Sequence, residues 1–290
     1  MLQVARLAST QLGESRDLVA GFLRERLNPD GGFQDRSGAS DLYYTVFGLD
    51  ALIALQEELP VEPTAAYLNR FAAAADLDFV HLACLARGWA AVRRLPEPAV
   101  VDSVLARIEK CRSANGGYAN APGAAQGTAY SAFLALGAYQ DLGRTMPAQE
   151  AVLASLRAVR AGDGSYANQP GLRSGLTTST AAAVIVLRHL GAAPDRDAGM
   201  WLLDRCHKGG GFFASPVTPV PDLLSTATAL HALSSLHVPI GGLREPCLDF
   251  VDSLWTNRGG FYGTWADDDV DCEYTYYALL ALGHLSVDQS

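Results

Sequence analysis

The sequence predicts an all-α protein built from six helical hairpins that close into a ring. Three observations support this prediction. Glycine turns that end in an aromatic residue recur along the chain, a hydroxyl-bearing pair follows each of these turns, and each pair opens a segment rich in Ala and Leu. From Ser131 onward the hydroxyl positions recur every ~46–49 residues, a period typical of two-helix repeats.

The glycine turns mark the start of each repeat. Because glycine reaches the positive φ that a tight turn requires, we interpret these glycines as turn residues rather than as a phosphate-binding loop. The turns are Gly31-Gly32-Phe33, Gly116-Gly117-Tyr118, Gly164-Ser165-Tyr166, Gly210-Gly211-Phe212 and Gly259-Gly260-Phe261. The helix starts that follow carry Tyr44-Thr45, Tyr130-Ser131, Ser179-Thr180, Ser225-Thr226 and Tyr274-Thr275. A sixth copy without a glycine turn fits residues 76–80, ahead of a helix through Trp89.

Two kinds of helix alternate along the chain. Segments that are apolar on every face are typical of buried helices, and segments with charges on one side are typical of an outer layer. The inner segments are predicted at 46–55, 79–89, 132–138, 181–190, 227–236 and 276–285. The outer segments are predicted at 15–26, 65–74, 99–111, 149–160, 196–206 and 244–254.

Composition limits the classes of function. With 290 residues and 49% hydrophobic residues, the chain can bury a large core, and without a recognisable linker we expect one domain over 1–290. The net charge of −9 argues against nucleic acid as a partner. No run approaches the length of a membrane span, and five scattered cysteines argue against a disulfide framework. We therefore expect a cytoplasmic protein.

The repeat unit resembles that of a known superfamily. Gly-Gly-Phe, then Asp-x-x-Tyr-Thr at residues 41–45 and an Ala/Leu helix, is similar to the repeat of protein prenyltransferase β subunits. The stretch from Arg160 to Tyr166 is similar to the repeat of squalene and terpene cyclases. The resemblance covers nearly the whole chain. It implies an (α/α)6 toroid whose central cavity holds an isoprenoid, with chemistry at the N-terminal ends of the inner helices.

The zinc site of the prenyltransferases does not carry over. That site uses Asp-x-Cys in the next-to-last repeat and His in the last. Here Asp222 keeps the first position, but Leu224 and Tyr274 replace Cys and His. Because leucine cannot ligate zinc, we expect no zinc-dependent protein prenyltransferase.

Two helix starts carry partial copies of the acid motif of class II terpene cyclases. In that family Asp-x-Asp-Asp protonates an alkene. Asp76-Leu77-Asp78-Phe79 keeps the first and third positions, whereas residues 271–274 place Glu273 in the third, proton-donor position. The resemblance implies Asp78 or Glu273 as the donor, with Asp76 and Asp271 holding its geometry.

An aspartate ahead of a helix is also the ordinary N-cap residue. Asp78 and Glu273 are explained less readily as caps, which is why we select them as donors. The cap alternative fits four aspartates: Asp41, Asp76, Asp222 and Asp271.

The predicted substrate-binding residues come from the same helix starts. Aromatic ring faces stabilise a carbocation, and a carboxyl in a dry pocket retains its proton more easily. Arg173, just ahead of the fourth start, either meets a diphosphate or lies in solvent. The predicted set is Tyr43, Tyr44, Phe79, Tyr130, Tyr274, Asp41, Asp222 and Arg173.

Three functions remain open from the sequence. The first is acid-initiated cyclisation of an isoprenoid. The second is a zinc-independent prenyl transferase. Residues 267–271 fit an Asp-Asp-x-x-Asp pattern that suits Mg²⁺ if the substrate carries a diphosphate, and the alternative is a solvated acidic loop. The third is a non-catalytic toroid that binds an apolar ligand, a protein partner or a second copy of itself.

Overall fold

The structure is a computed structural model that describes residues 1–73, 76–193 and 195–287. It confirms the predicted all-α class. One two-stranded antiparallel sheet, β1 (Phe33–Gln34) and β2 (Ser40–Asp41), pairs Phe33 with Asp41. In chain order the helices are α1 (Leu2–Ala5), α2 (Ala8–Leu12), α3 (Arg16–Glu25), α4 (Leu42–Ala54), α5 (Val61–Asn69), α6 (Phe79–Val92), α7 (Pro98–Glu109), α8 (Ala129–Asp141), α9 (Gln149–Ala158), α10 (Thr177–His189), α11 (Arg196–Leu203), α12 (Leu223–Ser235), α13 (Arg244–Asp252) and α14 (Cys272–Leu285).

The even-numbered helices from α4 to α14 form a closed inner ring. Each packs against the next inner helix along the chain, and α14 packs against α4, which completes the circle. The odd-numbered helices from α3 to α13 form the outer layer. The short helices α1 and α2 pack against α14. The predicted toroid is therefore confirmed, including its closure.

Burial of the inner helices agrees with their composition. In α14, 12 of the 14 residues are buried, because the helix meets α4 and α12 on its sides and α1, α2 and α13 elsewhere. By contrast, the outer helices bury one face, such as Val101, Val104, Leu105 and Ile108 of α7. A helix with apolar residues all round thus lies in the inner ring.

The recurring threonines join each glycine turn to its inner helix. The backbone N–H of Phe33 donates to Thr45 Oγ1 at 2.9 Å, and that hydroxyl donates to the carbonyl of Asp41 at 2.6 Å. The N–H groups of Tyr166 and Phe212 donate in the same way to Thr180 and Thr226, at 3.0 and 2.9 Å. These hydroxyls satisfy backbone donors that the turn would otherwise leave buried.

Two sequence predictions need correction here. Ser131 is equivalent to Ser179 rather than to Thr180, because the cap of α8 is Thr128 and Ala132 therefore lies at the threonine position. The outer helix predicted at 65–74 instead spans Val61–Asn69, since a proline such as Pro63 is tolerated in the first turn of a helix. Ala74 lies outside the described residues.

Candidate active site at the mouth of the central cavity

A cavity of about 560 Å³ lies inside the inner ring, close to the N-terminal ends of its helices. Its volume is within the range of small-molecule sites. Phe133, Ile185, Leu224 and Tyr277 supply apolar wall, and amides and hydroxyls supply neutral polar groups. A second cavity of about 160 Å³ shares Tyr43, Tyr130, Phe133 and Tyr277 with the first. This combination of an apolar wall and neutral polar groups suits an apolar ligand with a polar end.

The position of each inner residue relative to its helix cap decides whether it faces this cavity. In five inner helices the second residue after the cap lines one of the two cavities. The residue four positions later, one helical turn on, lines a cavity in all six inner helices. The first set is Tyr43, Val80, Tyr130, Thr178 and Leu224, and the second is Phe47, Cys84, Leu134, Ala182, Thr228 and Tyr277. In α14 the cap is Asp271, so the position equivalent to Tyr43 belongs to Glu273.

Glu273 is a half-buried carboxyl beside the aromatic wall. The hydroxyl of Tyr43 donates to its Oε1 at 2.7 Å. Burial raises the pKa of Glu273 to about 7, against the opposing hydrogen bond from Tyr43, and the nearby Asp271 adds to the rise. A large fraction of the Glu273 carboxyl is therefore protonated at neutral pH, as a proton donor requires.

Asp271 holds the start of α14. Its Oδ1 accepts the N–H of Tyr274 at 2.9 Å, and its Oδ2 accepts from Arg36 Nε at 2.9 Å. Arg36 also approaches Asp267 at 3.5 Å. Burial raises the pKa of Asp271 although Tyr274 and Arg36 act in the opposite direction. Asp271 thus caps α14 two residues before Glu273, as the cap alternative expected, and its role in holding the donor's geometry stays a prediction.

The second predicted donor, Asp78, does not occupy the donor position. It is the N-cap of α6, with Oδ1 accepting the N–H of His81 at 2.9 Å, and its side chain is 62% exposed. Although partial burial opposes it, hydrogen bonds from His81 lower the pKa of Asp78. The sequence analysis placed the cap of α6 at Asp76, two residues too early. Counted from the true cap Asp78, the position equivalent to Glu273 is Val80. Asp76, predicted as the cap, is exposed and precedes the true cap.

His81 bridges two caps, a contact that the sequence analysis missed. Its ring nitrogens lie 2.9 Å from Asp78 Oδ1 and 3.3 Å from Asp41 Oδ2. The hydrogen bond with Asp41 raises the pKa of His81 to about 9, so the imidazole is cationic at neutral pH. Asp41 also caps α4 by accepting the N–H groups of Tyr43 and Tyr44. Asp41 therefore caps α4 and contacts His81, and it does not line the cavity.

Of the five predicted aromatics, two line the cavity. Tyr43 and Tyr130 occupy the inward position. Tyr44 and Tyr274 lie one residue further on, and the ring of Tyr274 stacks near Arg36, 5.6 Å away. Phe79 is fully buried in the wall against Tyr118. An α-helix turns by about 100° per residue, so adjacent positions cannot all face inward.

The two remaining predicted binding residues do not line the cavity. Asp222 is the N-cap of α12 and accepts both the N–H and the hydroxyl of Ser225 at 2.7 Å. Burial raises the pKa of Asp222 against those hydrogen bonds. Arg173 lies in an exposed loop, which agrees with the solvated alternative.

A histidine pair lies on the cavity wall between α12 and α14. His231 Nδ1 is 3.0 Å from His284 Nε2, and His231 lines the cavity. Burial lowers the pKa of His231 to about 2 and that of His284 to about 4, so both rings are neutral. The sequence contained a signal for His231: with Leu224 and Thr228 it has the i, i+4, i+7 spacing of one helix face.

The deep end of the smaller cavity is ionic. Arg87 Nη2 contacts Asp50 Oδ2 at 2.9 Å, and Arg87 Nη1 lies 3.5 Å from Asp141. Burial raises the pKa of Asp50 although Arg87 opposes the rise. The guanidinium is thus committed to two carboxylates below the aromatic wall, away from the mouth.

In the acidic loop whose pattern suits magnesium, two carboxylates pair with an arginine. Arg36 takes up Asp267 and Asp271, and among residues 1–73, 76–193 and 195–287 no group of three His, Cys, Asp or Glu side chains could hold a metal ion. Within the same ranges, no helix combines the length and apolar character needed to cross a bilayer.

Comparisons with known proteins agree with this architecture. The family model described as the prenyltransferase alpha-alpha toroid domain matches residues 6–83, 79–190 and 180–289. The chain therefore belongs to the prenyltransferase alpha-alpha toroid family. A search of curated proteins found no significant match.

Solved structures show the same fold at low identity. A variant of the type II terpene cyclase MstE from Scytonema, in complex with the substrate geranylgeranyl dihydroxybenzoate, shares 14% identity, with 96% of this chain and 97% of that chain covered and a TM-score of 0.65. Protein geranylgeranyltransferase-I from Candida albicans, complexed with GGPP, shares 12% identity over 91% and 89%, with a TM-score of 0.69. A protein from Actinoplanes shares 16% identity, with 94% of this chain and 98% of that chain covered and a TM-score of 0.64.

Proposed function

We propose that this protein is an isoprenoid cyclase that starts its reaction by protonating an alkene, with Glu273 as the acid. The observation that carries the proposal is a carboxyl whose pKa is about 7, two residues after the cap of α14 and hydrogen-bonded to Tyr43 of the aromatic cavity wall. The fold neighbours solved with a geranylgeranyl substrate or GGPP support an isoprenoid as the ligand class.

In the proposed first step, Glu273 transfers its proton to the terminal double bond of the chain. One carbon of the alkene gains a C–H bond, and its neighbour becomes a tertiary cation. The faces of Tyr43, Tyr130 and Tyr277 are available to stabilise positive charge as it moves through successive ring closures. A water-poor wall also protects the cation from premature capture.

The last step requires a base, and His231 is suitably placed. When its Nδ1–H donates to His284, the other nitrogen of His231 keeps a free lone pair. A C–H bond beside the final cation supplies the electrons of a new double bond, and its proton passes to His231. One proton enters and one leaves, so the product is an isomer of the substrate, and Glu273 is reprotonated from solvent.

The transferase alternative receives less support. Diphosphate recognition relies on arginine or lysine, and within the described part of the chain no Arg or Lys side chain lines the larger cavity. Arg36 and Arg87 are each paired with carboxylates. We therefore rank cyclisation first and non-catalytic ligand binding second.

Reaction in D₂O tests the proposal. Purified protein is incubated with geranylgeraniol, and separately with geranylgeranyl diphosphate and Mg²⁺, and extracts are analysed by mass spectrometry. We expect a cyclic isomer that carries one solvent deuterium and is absent with Glu273→Gln. A product without deuterium, release of diphosphate, or no product from either substrate would refute acid-initiated cyclisation.

A further inference from the structure

Two asparagines form a matched pair at the cavity mouth. Tyr-Ala-Asn occurs at residues 118–120 and again at 166–168, directly after the glycine turns of two successive repeats. At the corresponding third position the other glycine-turn repeats carry Asp35, Ala214 and Gly263. Asn120 and Asn168 both line the larger cavity. The pair is therefore a feature of two neighbouring repeats and not a requirement of the turn.

Serines at the helix starts orient both amides. Thr128 Oγ1 donates to Ser131 Oγ at 2.9 Å, so the Ser131 hydroxyl gives its own proton to Asn120 Oδ1, 2.7 Å away. In the next repeat Ser179 Oγ donates to Asn168 Oδ1 at 2.9 Å. Because each amide oxygen accepts a hydrogen bond from a serine, the NH₂ group of each asparagine remains available to donate to a ligand. Within the described ranges, neither NH₂ group donates to another residue.

The side chains that share the cavity wall with the amides are polar or apolar but uncharged. Gln169, Thr178 and Ser179 line the same part of the cavity, and in the described part of the chain its wall contains no Arg, Lys, Asp or Glu side chain. Of the cations near the mouth, Arg36 pairs with Asp271, and His81 pairs with Asp41 and Asp78. Burial, with Arg87, lowers the pKa of the Met1 α-amino group, which also lines the cavity, and Arg173 lies in the exposed loop after Asn168. A doubly charged head would lose hydration here, and no side chain of the described cavity wall would offset that loss as an ionic partner.

Ring order places the amides opposite the acid. The inner ring runs α4, α6, α8, α10, α12, α14, so α8 lies across from α14 and α10 across from α4. Asn120 and Asn168 lie in the loops that lead into α8 and α10, whereas Glu273 and Tyr43 lie in the first turns of α14 and α4. A chain whose head lies on the amides must therefore cross the ring to bring its far end to Glu273.

We propose that Asn120 and Asn168 bind the head of an isoprenoid whose polar end is an uncharged oxygen group, such as an alcohol or a ketone. This inference rests on the proposed function for its ligand class and adds the chemistry of the head. Each amide can donate to a lone pair of the head's oxygen, while the apolar chain lies against the wall formed by Phe133, Ile185 and Tyr277.

Binding without turnover tests the inference. Affinities of geranylgeraniol and geranylgeranyl diphosphate are measured by titration calorimetry on the full chain carrying Glu273→Gln. We expect the alcohol to bind at least about tenfold more tightly than the diphosphate, with or without Mg²⁺. Tighter binding of the diphosphate, or no binding of the alcohol, would overturn the inference.

Variants of the amides locate the head. Asn120→Leu and Asn168→Leu, each in the Glu273→Gln background, should weaken geranylgeraniol by about tenfold, the value of one lost hydrogen bond to a polar ligand. Affinity for the C20 hydrocarbon without a head should not fall, which separates lost recognition from a damaged fold. Asn69→Leu, the same change on the exposed outer helix α5, is the matched control.

The two proposals fail separately. Alcohol binding that depends on both amides, together with no deuterated product from the unmodified chain, would keep the head site and refute the cyclase. Deuterated cyclic product with unchanged affinity in both asparagine variants would keep the cyclase and overturn the head site.

Discussion

Asp78 and Glu273 have similar sequence contexts but opposite environments. Asp78 caps α6, is 62% exposed, and has a pKa lowered by hydrogen bonds from His81 despite partial burial. Glu273 follows the cap of α14 by two residues, accepts a hydrogen bond from Tyr43 of the cavity wall, and has a pKa raised by burial to about 7. A shift of two residues along a helix start therefore separates a surface carboxylate from a carboxylic acid. Which of the two is an acid depends on register rather than on the motif.

The largest expected difference between the two sites is in turnover. Glu273→Gln removes the proton but keeps the shape, so the rate of deuterated cyclic product should fall by about 10³-fold. Asp78→Asn keeps a capping side chain and should change the rate by less than about threefold. Equal losses in the two variants, at unchanged thermal stability, would contradict the distinction.

A smaller effect is expected from the tyrosine that contacts the acid. Tyr43→Phe removes the donor to Glu273 but keeps the ring, so the pKa of Glu273 should rise. Because the carboxylate formed by proton transfer also loses this hydrogen bond, the acid becomes weaker and the rate should fall by about tenfold. Tyr44→Phe removes the hydroxyl of the neighbouring residue, which does not line the cavity, and serves as the matched control. Similar rates for the two variants would show that the Tyr43 hydroxyl has no role at the acid.

The pH dependence should move when Arg36 is replaced. Cyclisation requires the protonated form of Glu273, so the rate should fall as pH rises through about 7. The hydrogen bond from Tyr43 and the charge of Arg36 favour the ionised form of Glu273, whereas burial and Asp271 favour the neutral form. In Arg36→Met the descending limb should therefore lie at higher pH. A limb at lower pH would show that Arg36 is not the opposing charge.

The smallest effect concerns stability at the Asp78 site. His81 has a folded pKa of about 9, raised by Asp41 and Asp78, so its stabilisation is complete below its ordinary pKa of 6.5 and is lost as pH rises through 9. Solvent screening limits that contribution to about 1 kcal/mol. Thermal melts of the wild type should show this loss between pH 6.5 and 9, and melts of His81→Gln should not. Parallel curves would contradict the ion bridge.

The periodicity of the sequence was sufficient to predict the fold. The glycine turns, the threonines at 45, 180, 226 and 275, and the helices apolar on all faces each have a physical role in every copy that carries them, so repetition made them visible. Closure was also predictable, because an open array would expose one inner helix.

The candidate site was predictable only in part. Glu273, Tyr43 and Tyr130 follow from helix starts, but the copy at residues 76–80 has no glycine turn to fix its register, and its cap was therefore misplaced. The contacts of His81 with Asp41 and of His231 with His284 join different repeats. Contacts of this kind depend on how neighbouring repeats pack in three dimensions and leave no local pattern in the sequence.

A carboxyl titration tests the central claim most directly. Protein labelled with ¹³C at the side-chain carboxyl of glutamate is titrated by NMR, and Glu273→Gln identifies the signal of Glu273. We predict a carboxyl that titrates near pH 7 and is absent from the variant. A Glu273 signal that titrates below pH 5 would show that the group is ionised at neutral pH, and the protein would then lack the acid on which the proposed reaction depends.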